Sequence, residues 1–170
     1  MLIFGALLLC LVDSKALANQ LEKTNKTVSF QYQHHLISSR ISGLNLSLHQ
    51  YTPSRRNSAK PLLLLHGSSF SSQLSFGFRM SGMSWIDHLL SKGFQVYALD
   101  FLGYGSADRY IEMHKALLHA EPLGRGVDVI KDVRIAVDFI LNSEKTAKVN
   151  ILGHSWGGAV AAHFAENYAE

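Results

Sequence analysis

A chain of 170 residues, 47% apolar and 17% charged, carries enough apolar surface for one folded domain, and this composition excludes a disordered segment. The net charge is +3 and Arg55-Arg56 is the only adjacent basic pair, which describes a mildly basic surface and excludes a nucleic-acid partner. The single cysteine, Cys10, excludes an internal disulfide and a cysteine-based zinc site.

Residues 1–18 read as an export signal. Residues 2–12 form an apolar run too short to span a bilayer, and Ala16-Leu17-Ala18 is a small-x-small cleavage pattern. The segment before the run has no Lys or Arg, which leaves an uncleaved membrane anchor or a mis-assigned start codon as alternatives. Cleavage makes the protein periplasmic or secreted. Membrane contact is expected only through this segment if it stays attached.

Residues 27–32 alternate polar and apolar side chains, as a half-exposed strand does. Residues 44–51 alternate too, with Leu44, Leu46 and Leu48 on one face; Gly43 before them predicts a turn, so the two runs pair as an antiparallel edge. Residues 53–58 are a polar loop. Residues 62–65 are four leucines without alternation, the pattern of a central strand buried on both faces. A helix is expected from Ser84, its cap, through Asp87 three positions on, to Gly93, its stop. Residues 94–99 form the next strand.

Residues 127–141 read as an amphipathic helix. Ile130, Val133, Val137 and Ile140 make its apolar stripe, while Asp128, Lys131, Asp132, Arg134 and Asp138 face water. A last apolar strand over 149–152 runs into a helix over 156–168. The alternation predicts an α/β fold with a mainly parallel sheet flanked by helices. In such sheets the site lies beyond the carboxyl ends of the strands, where His66, Asp100 and Ser155 all fall.

The richest stretch is Gly153-His154-Ser155-Trp156-Gly157, a Gly-x-Ser-x-Gly set between an apolar strand and the small-residue helix start Ala159-Val160-Ala161-Ala162. This is the context of a nucleophile elbow: the bend is too tight for side chains at 153 and 157, and the serine hydroxyl is lifted above the sheet. The Trp156 N–H, at a helix start, points toward the oxygen of a substrate under attack. Upstream, a leucine strand stops at His66-Gly67-Ser68-Ser69, and a second strand stops at Asp100-Phe101-Leu102-Gly103-Tyr104-Gly105-Ser106.

In content and order these three segments resemble the α/β-hydrolase superfamily over roughly residues 28–170. The resemblance implies a serine hydrolase, esterase-, lipase- or peptidase-like, in which Ser155 attacks the carbonyl of an ester or amide. Its substrate is expected to be small and largely apolar. The N–H of Trp156 and that of Ser68 would form the oxyanion hole, with Ser69 as the near alternative to Ser68. Neither a cofactor nor a metal is implied. In similar His-Gly loops a residue such as His66 shapes the turn, and the residue matching Asp100 holds its loop together.

Serine chemistry also needs a histidine and an acid to orient it, in the family's order after the serine. Only His163, Glu166 and Glu170 follow Ser155 as candidates. His163 lies eight positions along the same helix, about 12 Å up its axis at ~1.5 Å per residue, beyond reach of the hydroxyl. Residues 19–170 therefore read as the N-terminal part of an α/β-hydrolase domain, or as the product of a truncated reading frame. A catalytically inactive remnant acting as a binding module is the alternative. With later strands missing, the apolar strand before Ser155 becomes an exposed edge, which predicts self-association of the isolated chain.

Nine histidines invite a metal reading, yet no His-x-x-x-His or His-Glu-x-x-His spacing occurs and His34-His35 alternate faces. Gly103-x-Gly105 lacks the third glycine of a dinucleotide fingerprint. Phe76, Phe78, Met80 and Met83 are candidates for an apolar acyl pocket, or for ordinary core.

Overall fold

The computed structural model describes residues 28–54, 60–114 and 122–168. The signal at 1–18 and all but the first two residues of the 53–58 loop lie outside the described residues. Strand β1 (Phe30–Ser38) pairs antiparallel with β2 (Asn45–Pro53), and β2 pairs antiparallel with β4 (Gln95–Asp100). Strand β3 (Pro61–Leu65) lies parallel between β4 and β5 (Asn150–Gly153). The sheet has five strands in the order β1-β2-β4-β3-β5. It is mixed, with β2 alone running against the other strands. The three strands that lead into the site are mutually parallel, as the β-α-β alternation requires.

Four α-helices accompany the sheet among the described residues: α1 (Ser72–Phe76), α2 (Trp85–Ser91), α3 (Gly126–Glu144) and α4 (Trp156–Tyr168), with a short 3-10 turn at Ile111–His114. The period-2 alternation of the strands divides the core. Leu63, Leu65, Tyr97 and Leu99 pack with Val129, Val133, Ile140, Val160 and Phe164 of α3 and α4. Leu62, Leu64, Val96 and Ala98 pack with Phe76, Ile86 and Leu90 of α1 and α2. Every residue of β3 is buried, so its leucine run serves both layers. Each leucine contributes about 1.5–3 kcal/mol by leaving water.

Local signals account for the element ends. Helix α2 carries a complete capping box: Ser84 Oγ accepts from the Asp87 N–H, and the Asp87 carboxylate accepts from the Ser84 N–H, both at 3.0 Å. A hydrogen-bonded Arg79 holds the Asp87 carboxyl below its ordinary range, so the cap stays ionised. Gly93 ends the helix with φ +83°, a left-handed conformation that glycine adopts without a steric penalty.

Helix α3 departs from its reading at two residues, Asp132 and Val137. Asp132 does not face water; it is 1% exposed and receives Arg40 Nη1 at 2.7 Å and the Arg40 backbone N–H at 3.0 Å. The buried stripe runs through Val129, Val133, Ala136 and Ile140, and position 132 lies on it, while Val137 is only half-buried. Burial pushes the Asp132 carboxyl up, and the Arg40 donors only partly offset this. The pair ties the β1–β2 turn to α3. No helix among the described residues is long and apolar enough to cross a bilayer.

Candidate active site

The carboxyl ends of β4, β3 and β5 place three loops side by side. At the end of β5 the chain reverses within two residues into α4, and Ser155 takes φ +54° at the reversal. This left-handed conformation costs a non-glycine residue about 1–2 kcal/mol, and it persists because the neighbours leave no alternative. A Cβ at Gly157 would lie 2.1 Å from the Leu65 carbonyl oxygen, and one at Gly153 would lie 2.2 Å from that of Gly157. Both glycines are therefore demanded by backbone approaching backbone. The His154 N–H donates to the Leu65 carbonyl at 3.0 Å, extending the β3–β5 ladder up to the turn. Ser155 is exposed, and its side chain accepts and donates no hydrogen bond among the described residues.

The loop after β3 lies against this turn: a Cβ at Gly67 would sit 3.2 Å from Ser155 Cβ. His66 is fully buried beneath it. Its Nε2 accepts from the Phe101 N–H at 3.3 Å, which leaves the proton on Nδ1 to donate to the Gly67 carbonyl at 2.6 Å. Burial lowers the His66 pKa, in keeping with a neutral ring. With both nitrogens engaged, His66 staples the β3 loop to the β4 loop and has no capacity left for proton transfer.

Asp100, at the end of β4, is likewise enclosed. It accepts from the Ser72 N–H at 2.8 Å, the Ser106 N–H at 2.9 Å and His49 Nε2 at 3.1 Å. Burial alone would raise its carboxyl, but these donors outweigh burial and hold it far below the usual carboxylate range. Its carboxylate also fills the space where a Cβ at Gly105 would fall, so glycine is required there.

Ser68 is exposed, and its carbonyl accepts from the Tyr104 hydroxyl at 2.6 Å, which joins the β3 and β4 loops a second time. Trp156 opens α4, so its N–H belongs to the first turn, where no intrahelical acceptor exists. The Trp156 indole packs edge-on against Phe101 at 5.5 Å. Between Ser68 and Trp156 opens a cleft of about 460 Å³ walled by Leu102, Tyr104, Met113, Leu123 and Val129. The residues named from the sequence for an apolar pocket lie elsewhere. Phe76 is core, packed near Trp85 and His154, while Phe78 and Met80 are exposed and Met83 is half-buried; none of them walls this cleft.

Among the described residues, His154 and His163 make no hydrogen bond to the Ser155 side chain. The His154 side chain is exposed and turned toward Phe76, with ring centroids 6.4 Å apart. His163 faces Glu166 at 3.6 Å, further along α4. Among the described residues no group of three or more His, Cys, Asp or Glu side chains is arranged to hold a metal ion. Sequence reasoning missed Tyr104 and His49 as site-shaping residues. The alternation that puts Leu46 and Leu48 on one face of β2 does put Ser47 and His49 on the other, and that was the available signal.

A loop triplet at the carboxyl ends of parallel strands, with a strained serine on the strand-to-helix turn, defines a hydrolase-like α/β architecture. Residues 60–170 match the family model described as alpha/beta hydrolase fold, and the chain belongs to that family. Solved structures agree on the fold. A predicted CIB-like hydrolase from Thermoplasma acidophilum is 20% identical with a TM-score of 0.53, over 82% of this chain and 58% of that one. A thermostable carboxyl esterase from Bacillus coagulans is 18% identical with a TM-score of 0.61, over 82% of this chain and 41% of that one. Naproxen esterase from Bacillus subtilis is 19% identical with a TM-score of 0.51, over 91% of this chain and 46% of that one. The chain thus spans about half the length of these structures. None of the curated proteins matches the chain.

Proposed function

We propose that this chain carries the nucleophile half of a serine hydrolase that cleaves an ester or amide bond of a small, largely apolar substrate. Ser155 is the nucleophile, and the N–H groups of Trp156 and Ser68 receive the oxyanion. The observation that carries this reading is Ser155 itself: exposed, at φ +54°, on a turn whose glycines cannot be replaced. Backbone strain of this kind is retained where it presents a side chain to a reacting group. The apolar cleft beside Trp156 and Ser68 supports an apolar acyl or leaving group. Esterase neighbours of the same fold favour the ester.

Activation of the hydroxyl requires a general base, and no histidine among the described residues hydrogen-bonds the Ser155 side chain. That observation favours a second reading, in which these 170 residues alone bind without turning over. Fluorophosphonate labelling separates the two. Label that is lost in Ser155→Ala supports an activated serine; a chain that takes no label supports the binding module. Export through residues 1–18 completes the proposal and is tested by N-terminal sequencing of protein recovered from the culture medium or periplasm.

A further inference from the structure

One polar chain on the sheet, with Ser47, His49 and Asp100 buried at its centre, is not used by the chemistry above. It runs from the outer strand β1 to Asp100. Tyr32 donates its hydroxyl to His49 Nδ1 at 2.8 Å. That contact leaves the imidazole proton on Nε2, which faces Asp100 Oδ2 and Ser47 Oγ, each at 3.1 Å. The Ser47 hydroxyl then donates onward to His34 Nε2 at 2.9 Å. With the protons placed this way, every donor in the chain has an acceptor. The His34 ring stacks on His49 at 5.0 Å and 14°, and Tyr32 stacks on it at 6.1 Å and 19°, so the plane of the buried ring is held from both neighbours.

Ser47, His49 and Asp100 are the residue types of a catalytic triad, but the geometry forbids that use. A triad needs serine on one imidazole nitrogen and the carboxylate on the other. Here both meet Nε2, and Nδ1 is taken by Tyr32. The trio is also buried, away from any substrate.

Asp100 is where the chain acts. Its two carboxylate oxygens hold the Ser72 N–H and the Ser106 N–H, one from the segment that follows the Ser68 loop and one from the loop that carries Tyr104. We propose that His49, aligned by Tyr32 and Ser47, is a positioning residue for the reaction at Ser155: its Nε2–H sets the rotation of the Asp100 carboxylate, which in turn sets the height of the Ser68 loop. This rests on the serine-hydrolase reading above. An oxyanion donor acts only within a narrow distance of the developing charge, so a small drift of the loop is felt in the chemical step and not in ground-state binding.

The test uses the full chain with His49→Leu, His49→Gln and Tyr32→Phe. Two readouts are taken: the rate of fluorophosphonate labelling at Ser155, with kcat and KM on p-nitrophenyl butyrate, and hydrogen exchange of the Ser72 and Ser106 amides. His49→Leu is expected to slow labelling and kcat by about 10-fold or more at nearly unchanged KM, and to speed exchange of both amides. His49→Gln, which returns an N–H donor toward Asp100, is expected to restore most of both. Tyr32→Phe, on a half-exposed side chain, is expected to give a smaller change in the same direction, and it decides the matter if His49→Leu fails to fold. Unchanged exchange at both amides in the folded variants overturns the proposal, as does a glutamine variant no better than leucine. A parent chain that takes no label overturns the hydrolase reading instead, and the amide exchange still reports separately whether His49 holds the loops.

Discussion

Ser155 shows how a single backbone angle can carry both strain and presentation. Glycine pays no penalty at φ +54°, whereas alanine does, so Ser155→Gly is expected to be about 1 kcal/mol more stable than Ser155→Ala in chemical denaturation, although both lose the hydroxyl. Gly157→Ala acts in the opposite sense. Its methyl group meets the Leu65 carbonyl at 2.1 Å, and the turn must open; a loss of about 3 kcal/mol or more is expected, with loss of fluorophosphonate labelling. His66 yields a pH dependence. Its folded pKa lies below the ordinary imidazole value near ~6.5, so the unfolded chain binds the proton more tightly. The stability it contributes is complete above about pH 6.5 and is lost as pH falls toward its folded value. The melting temperature should therefore fall between about pH 7 and 5, and fall less in His66→Asn. Asp100 adds a separate loss, beginning only below about pH 4, because its folded value is depressed.

Two aspartates of helix α3 that look alike in the sequence form ion pairs that differ in consequence. Arg134 and Asp138 face water as an i,i+4 pair with both side chains about half exposed. Asp132 and Arg40 meet at 2.7 Å with the carboxylate 1% exposed. Arg134→Ala should change stability by less than about 0.5 kcal/mol, since screening and side-chain entropy cancel most of such a pair. Asp132→Ala should cost about 3 kcal/mol, because it strands a guanidinium and a backbone N–H that have no other carboxylate in place. Urea midpoints of the two variants check the ratio. In α2 the charge pattern and the cap coincide, so the helix was legible from Ser84 and Asp87 without any distant partner.

Across the molecule, the sheet of the described residues ends on β5, the strand that leads into Ser155. Leu152 and Ile151 are only partly covered, and Asn150 is exposed. An apolar edge with unpaired N–H and C=O groups recruits another strand. The 170-residue chain is expected to self-associate in sedimentation velocity, and Asn150→Lys, which places a charge on that edge, should shift it toward monomer. A sharp monomeric two-state melt of the unsubstituted chain would contradict the edge argument.

Much of this architecture follows from neighbours in the chain. Leucine runs without alternation mark strands buried twice, a 3.6-residue stripe marks α3, and glycines bracketing Ser155 mark a bend, because each of these patterns acts over a few residues. The residues around the site obey no such local rule. Asp132 looked like a solvated charge until Arg40, 92 positions away, came to meet it. His49 and Asp100 are 51 positions apart, and the cleft beside Trp156 is walled by loops that follow three different elements. Contacts of that kind arise when strands far apart in sequence become neighbours in the sheet. Strand pairing chooses which polar side chains are enclosed together, and enclosure in turn decides which of them must share protons.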